Sequence, residues 1–228
     1  ASASASEIYS AAIQDYERGI IIGSTTTGKG TAQVQLDSLA HGQATLTQRK
    51  FYRVTGGSTQ NKGVIPDIRL VDIYNEEFGE RKAKNALKWD TIPTAPFKRE
   101  GSVQPYLAKL NQTSEQRVAT DPQFKYLETR KTLAKKSADE KKVVLDIDQR
   151  RAELVDLEKQ TLDAENQRRA ATGQPPYANW ESYQASIDAL VESRAKMKAH
   201  LRPPLPEEEA FITEAANVLL DYAALQSR

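Results

Sequence analysis

Behind an opening run of alternating alanine and serine, Ile8, Ala11, Ala12 and Tyr16 recur at helical spacing. The pattern predicts a first helix over residues 7–18, capped by Ser4 or Ser6 and stopped by Gly19. Gly19-Ile20-Ile21-Ile22-Gly23 follows as an unbroken run of β-branched residues between glycines, as expected of a strand buried on both faces. Residues 32–36 and 45–54 alternate apolar and polar positions and predict two antiparallel strands with one wet face. Gly56-Gly57-Ser58 predicts a turn, and residues 63–68 a short strand that Pro66 confines to an edge or a strand end.

Beyond residue 71 the period changes. Asn75, Gly79, Pro93, Pro96 and Gly101 mark residues 71–102 as an irregular connector, with Trp89 as its anchor. Helices are then predicted over residues 105–116, from Asp121-Pro122 to about Lys136, over 138–171, 181–200 and 206–226. The 138–171 stretch sets Val143, Val144, Ile147, Leu154, Leu157 and Leu162 against a charged face, which suits a bundle helix or a docking surface for a partner protein. The fold class expected is α/β (α+β), a helix on a mixed sheet over residues 1–70, followed by an all-α domain over 103–228.

Composition sharpens this division. Residues 1–70 hold eight of the eleven glycines, and the remainder carries most of the charge. The 32 basic and 31 acidic side chains nearly cancel, so bulk charge gives no support to a nucleic-acid partner. With no cysteine and only His41 and His200, thiolate catalysis, disulfides, Cys-type zinc sites and His-dependent hydrolysis fall away. His41 is expected in a solvated loop and His200 at a helix C-terminus. Catalysis, if any, has to use serine, lysine or carboxylates. No apolar run reaches the ~18 residues needed to span a bilayer. The start on Ala1 without an initiator Met reads as a processed or truncated product.

Gly23-Ser24-Thr25-Thr26-Thr27-Gly28-Lys29 invites three readings. It matches the first seven positions of a phosphate-binding P-loop, but Gly30 stands where a magnesium-binding Ser or Thr is needed, and the continuation favours a strand over a helix. In the second reading Lys29 is an exposed loop residue. In the third, Lys29 is the base for a serine at the start of the preceding helix, where unpaired amides stabilise an alkoxide and an oxyanion. Helix, turn, strand and loop return Lys29 toward that helix start.

The residues then become specific. Ser2-Ala3-Ser4-Ala5-Ser6-Glu7-Ile8, Gln14-Asp15-Tyr16, Gly28-Lys29-Gly30-Thr31-Ala32-Gln33, the stretch from Phe51 to Gln60, and Lys62-Gly63-Val64-Ile65-Pro66-Asp67-Ile68 together resemble the C-terminal processing peptidases, in particular their tail-specific branch. More loosely, Asn85-Ala86-Leu87-Lys88-Trp89-Asp90 and the helical remainder resemble that branch's C-terminal extension. The resemblance implies a serine endopeptidase with a Ser-Lys dyad: Ser4 as nucleophile, Lys29 as general base, Gln33 orienting the lysine amine, and the Ala5 amide as oxyanion donor. It further implies protein substrates with exposed apolar C-termini and a periplasmic location. No cofactor or metal is expected, and the helical domain is left three roles that sequence does not rank: flanking the groove, bracing a PDZ module, or docking an adaptor protein. Asp15 matches a family acidic position, but eleven residues of helix carry it about 16 Å from Ser4, at ~1.5 Å per residue, so its expected role is structural. The family's PDZ module, upstream strands and second oxyanion donor would all precede Ala1, so this is expected to be the C-terminal part of a protease core. The alternative is a non-catalytic scaffold whose helical module binds a regulator.

Overall fold

A computed structural model of the protein describes residues 2–36, 39, 41–73 and 79–227. The expected turn residue Asn75 lies outside them. The chain divides into two compact units, one running to Gln112 and resuming at Tyr222, the other Thr113–Asp221.

The first unit opens with α1, Ala5–Asp15. Its C-terminal stop is Glu17 and not Gly19: Glu17 takes a left-handed φ of 53°, and its buried carboxylate is held by Arg99 at 3.1 Å. A tertiary ion pair has displaced the glycine stop. Strand β1 is only Ile22–Gly23 and pairs in parallel with β4, Ile68–Arg69, with Ile22 opposite Ile68. The isoleucine run is half-buried and not enclosed on both faces, because β4 is the one strand beside β1 among the described residues. The expected 63–68 strand shrinks to its end for a related reason. Pro66 has no N–H to donate, and the next two amides, Asp67 and Ile68, converge on the Ile21 carbonyl at 2.7 and 3.1 Å.

Strands β2, Thr31–Leu36, and β3, Ala44–Lys50, form an antiparallel pair with a bulge between Ala32 and Gln33. β3 ends at Lys50, short of the expected Val54. There the backbone changes partners: Phe51 N donates to Gly30 O and Arg53 N to Gly57 O. Arg53 O in turn accepts from Gly56 N and closes the expected turn. The stretch after residue 79 is irregular but attached. Ile92 N donates to Gly56 O, Ser58 N to Asp90 O, and Trp89 Nε1 to Ser58 O at 2.9 Å, while Lys62 Nζ sits 3.3 Å from the Trp89 ring centre. Helix α2, Gln104–Thr120, sends Leu110 into the core of this unit, and its Asn111 amide donates to the Asp67 carbonyl at 3.0 Å.

The second unit is helical. Asp121 caps α3, Pro122–Asp139, by accepting from the amides of Gln123 (2.7 Å) and Phe124 (3.3 Å), and Pro122 fills the first turn. Asp121→Ala is expected to cost about 1 kcal/mol, read as a lower urea midpoint at unchanged slope. The long helix expected from residue 138 begins instead at Ile147. Residues 140–146 are non-helical, and Asp146 caps α4, Ile147–Ala171, through the Gln149 amide at 2.8 Å. Val143 and Leu145 are exposed in that link and Val144 is only half-buried, so little burial offsets the weak helix propensity of the two valines.

Nor does α4 bury the expected aliphatic face. It buries Ala164 with the ion pair Glu165–Arg168, whose guanidinium makes bonds of 2.7 and 2.8 Å to both carboxylate oxygens, while Leu154 stays exposed. Asn166 makes reciprocal hydrogen bonds with the backbone of Tyr177, which folds the chain back before α5, Trp180–Lys196. α5 ends four residues before His200, which lies exposed in a separate 3₁₀ turn, Ala199–Leu201, rather than capping that helix. Helix α6, Pro206–Gln226, sets Phe211 against Phe124 and binds Arg117 through Glu214 and Asp221. Glu214 is the main cause of that guanidinium's pKa lying above its ordinary value. No described helix is long and apolar enough to cross a membrane.

Candidate active site

Ser4 occupies the N-cap of α1 with φ 58° and ψ −116°, a backbone conformation that L-residues rarely adopt. Its carbonyl accepts from the amides of Glu7 (2.9 Å) and Ile8 (3.2 Å), so the serine is fixed by the first turn of the helix. Its side chain belongs to the capping box of this turn, in which the Glu7 carboxylate reaches back to the Ser4 amide. Among the described residues, no backbone acceptor takes the amides of Ala5 and Ser6, as the geometry of a helix start requires. Ser6 Oγ is taken up by the Ala3 carbonyl at 2.8 Å, and Ser2 is exposed.

The element that joins this serine to the lysine loop is Glu7, which is fully buried. One carboxylate oxygen accepts from the amides of Ser4 and Lys29, both at 2.9 Å. The other accepts from the Gly28 amide at 2.7 Å and from the Thr26 hydroxyl. Two donors on one oxygen keep the Ser4 and Lys29 backbone nitrogens within about 6 Å, twice a hydrogen-bond length. Thr26 in turn accepts from the Val64 amide at 2.7 Å, tying the arrangement to the segment before β4. The amides of Gly28 and Lys29, which in a P-loop would face phosphate, here face this internal anion. Lys29 leads into β2 and not into a helix.

The two glycines around Lys29 have separate causes. Gly28 has φ 85° and lies so close to Asn61 that an added Cβ would sit 3.0 Å from its carbonyl carbon. At Gly30 a Cβ would lie 2.5 Å from the Gln60 nitrogen, and the Gly30 amide donates to Gln60 Oε1 at 2.8 Å. Only glycine on both sides lets the lysine loop lie flat against residues 59–61.

The remaining candidates are placed less centrally. Gln33 is exposed on β2, with its amide directed at Thr47 Oγ1 across the hairpin at 3.4 Å, and no hydrogen bond joins Ser4, Lys29 and Gln33 side chains. Asp15, at the far end of α1, is buried and gripped by Arg53 through both carboxylate oxygens at 2.5 to 3.2 Å. His41 is exposed. Sequence reasoning missed Glu7 and Thr26. The signal for Glu7 was present as Ser4-x-x-Glu7, the spacing of a capping box, in which the glutamate reaches back to the N-cap amide. Nothing local announced that the same carboxylate would also hold the loop twenty residues on. Among the described residues, no group of three or more His, Cys, Asp or Glu is placed to hold a metal ion.

Comparison with known proteins finds two families along the chain. Residues 1–70 match peptidase family S41, and residues 73–224 match the family described as the C-terminal domain of tail specific protease. The chain is 44% identical over 165 residues to the tail-specific protease of Haemophilus influenzae, which covers 67% of this chain and 24% of that protein. It is 43% identical over 77 residues to a carboxy-terminal-processing protease of Bartonella bacilliformis, 34% of this chain and 18% of the relative. A chloroplastic C-terminal processing peptidase of Tetradesmus obliquus is 41% identical over 69 residues, 30% of this chain and 15% of that protein. The chain thus spans less than a quarter of the length of each of these relatives.

Proposed function

This chain belongs to the tail-specific proteases of peptidase family S41, and we propose that it carries their nucleophile and base as Ser4 and Lys29. The observation that supports this reading is the strained N-cap serine whose amide shares the Glu7 carboxylate with the lysine loop. Strain of this kind persists only where the surroundings hold it, and at a helix N-terminus it presents a hydroxyl beside unpaired amides.

The chemistry follows from those positions. Ser4 Oγ attacks the scissile carbonyl carbon while Lys29 Nζ takes its proton. Negative charge develops on the carbonyl oxygen and is met by the Ala5 amide at the start of α1. Lys29 returns the proton to the leaving amine as the peptide bond breaks, leaving an ester on Ser4. Water, deprotonated by the same lysine, then attacks the ester, and Lys29 returns that proton to Ser4 Oγ as the acid leaves. Gln33 orients the lysine amine by giving up its long contact with Thr47. Asp15 supports the scaffold by fixing Arg53 and the turn after β3.

In this reading residues 1–70 are the C-terminal part of a protease core, 71–102 the connector and 103–228 a helical domain able to receive an adaptor. The substrates are proteins with exposed apolar C-termini in the bacterial periplasm, and neither nucleic acid nor cofactor takes part. A fluorophosphonate, which esterifies activated serines, tests the assignment. Applied to this chain within a protein of the relatives' full length, it is expected to label the peptide containing Ser4. Labelling disappears in Ser4→Ala and Lys29→Ala and survives in Ser2→Ala and Ser6→Ala. Adduct on another residue, or equal labelling of Lys29→Ala, refutes it; no labelling and no turnover leaves the non-catalytic scaffold as the better account.

A further inference from the structure

Lys29 is held on both of its flanking peptides. Its own amide donates to Glu7 at 2.9 Å, and the Gly30 amide, which shares a peptide plane with the Lys29 carbonyl, donates to Gln60 Oε1 at 2.8 Å. The first bond fixes the backbone before the lysine and the second fixes it after. Gln60 is fully buried, and its Nε2 donates in turn to Glu80 Oε1 at 3.2 Å.

Glu80 opens the short 3₁₀ turn Glu80–Lys82, and its backbone is pinned to the same loop. The Glu80 amide donates to the Thr27 carbonyl at 3.0 Å, and a Cβ on Gly79 would lie 2.8 Å from that oxygen, so glycine permits the approach. A continuous path of hydrogen bonds thus runs from the Glu80 carboxylate through the Gln60 side chain to the Gly30 amide. Its direction is set by Glu80. A glutamine amide has a donor end and an acceptor end, and only its oxygen can take the Gly30 N–H. A carboxylate accepts and cannot donate, so it draws the Gln60 NH2 to itself and leaves the oxygen for Gly30. If the amide turns over, NH2 confronts N–H at a buried site, and the peptide after Lys29 loses its anchor. Glu80 belongs to the stretch matched to the C-terminal domain of tail specific protease, beyond the peptidase match that ends at residue 70.

We propose that Glu80 is a positioning residue for Lys29, acting through Gln60, so that the segment leading to the helical domain completes the setting of the base. The proposal rests on the reading of Lys29 as that base.

The test uses this chain within a protein of the relatives' full length. Glu80→Lys offers donors where an acceptor is needed and is expected to lower kcat on an unfolded protein substrate by about tenfold to a hundredfold at unchanged KM. Hydrogen exchange of the Gly30 amide is expected to quicken by about tenfold or more in the same variant. Glu80→Gln keeps an acceptor and is expected to keep kcat close to the parent's. In the double variant Gln60→Glu, Glu80→Lys the new carboxylate accepts from Gly30 and from the new ammonium at once, and kcat is expected to recover. A residue that merely supports the fold would show no such recovery. Parental kcat in Glu80→Lys, unchanged exchange at Gly30, or a double variant no better than Glu80→Lys overturns the proposal. If exchange at Gly30 quickens while Lys29→Ala stays fully active, the assignment of the base has failed, and the proposal falls with it.

Discussion

Ser4→Ala is expected to lower kcat/KM for an unfolded protein substrate by about four to six orders of magnitude, with Lys29→Ala falling to the same level and the double variant no lower. In the proposed dyad nucleophile and base act as a unit, so removing either removes the acyl-enzyme route, and a second loss has nothing left to take away. Lys29→Arg does not rescue the reaction, because a guanidinium stays protonated and cannot accept the serine proton. The backbone of Ser4 adds a second readout. At φ 58° a side chain is strained, so Ser4→Gly relieves the strain and is expected to stabilise the fold by about 1 kcal/mol while abolishing turnover. A raised urea midpoint in an inactive Ser4→Gly variant identifies the strain as serving the hydroxyl. If Ser4→Gly keeps activity, Ser4 is not the nucleophile.

Glu7→Ala is expected to cost the first unit about 4 kcal/mol and to reduce turnover by roughly a hundredfold or more in whatever protein remains folded. The side chain is wholly buried and satisfies four donors: the amides of Ser4, Gly28 and Lys29 and the Thr26 hydroxyl. Deleting it strands those donors, at about 1–3 kcal/mol each before water enters, and leaves a void beside α1. The activity loss has a different cause, since the same carboxylate holds the Ser4 and Lys29 backbones to a common point. Glu7→Gln is expected to be nearly as damaging. Its NH2 would confront two N–H donors where the second carboxylate oxygen now accepts them. Urea midpoints for the two variants, with turnover measured below them, check both effects. An unchanged midpoint in Glu7→Ala would mean that the carboxylate is dispensable to the fold.

Local order was legible in the chain wherever one residue's chemistry decides an element. The Asp121-Pro122 start of α3 was read correctly because a cap and a proline act within one turn. The antiparallel pairing of β2 and β3 was visible, although β3 buries no residue and Leu46 is exposed, so the expected dry face is missing; the serine-rich opening of α1 and the glycine-flanked lysine were visible too. Comparison of motifs then placed the chain in its family. What was not legible came from distant partners. Arg99 moved the stop of α1 to Glu17, the Ile21 carbonyl shortened β4, and Phe51 left β3 for the Gly30 carbonyl. The apolar pattern across residues 138–171 suggested one helix, yet Val143 and Leu145 found nothing to pack against, and the Asp146 cap restarted the chain.

The candidate site divides the same way. Which residues are proposed to carry chemistry, Ser4 and Lys29, came from the order of the motifs. Spacing also held the Ser4-x-x-Glu7 contact, because it spans a single turn. Tertiary structure decided that Glu7 would be buried against a loop twenty residues on, where its carboxylate takes the place of an external anion. The physical reason is the range of the interactions. Capping, alternation and turn chemistry act over a few bonds and are encoded where they act, whereas a buried carboxylate's partners depend on which distant amides the packed chain has left without an acceptor.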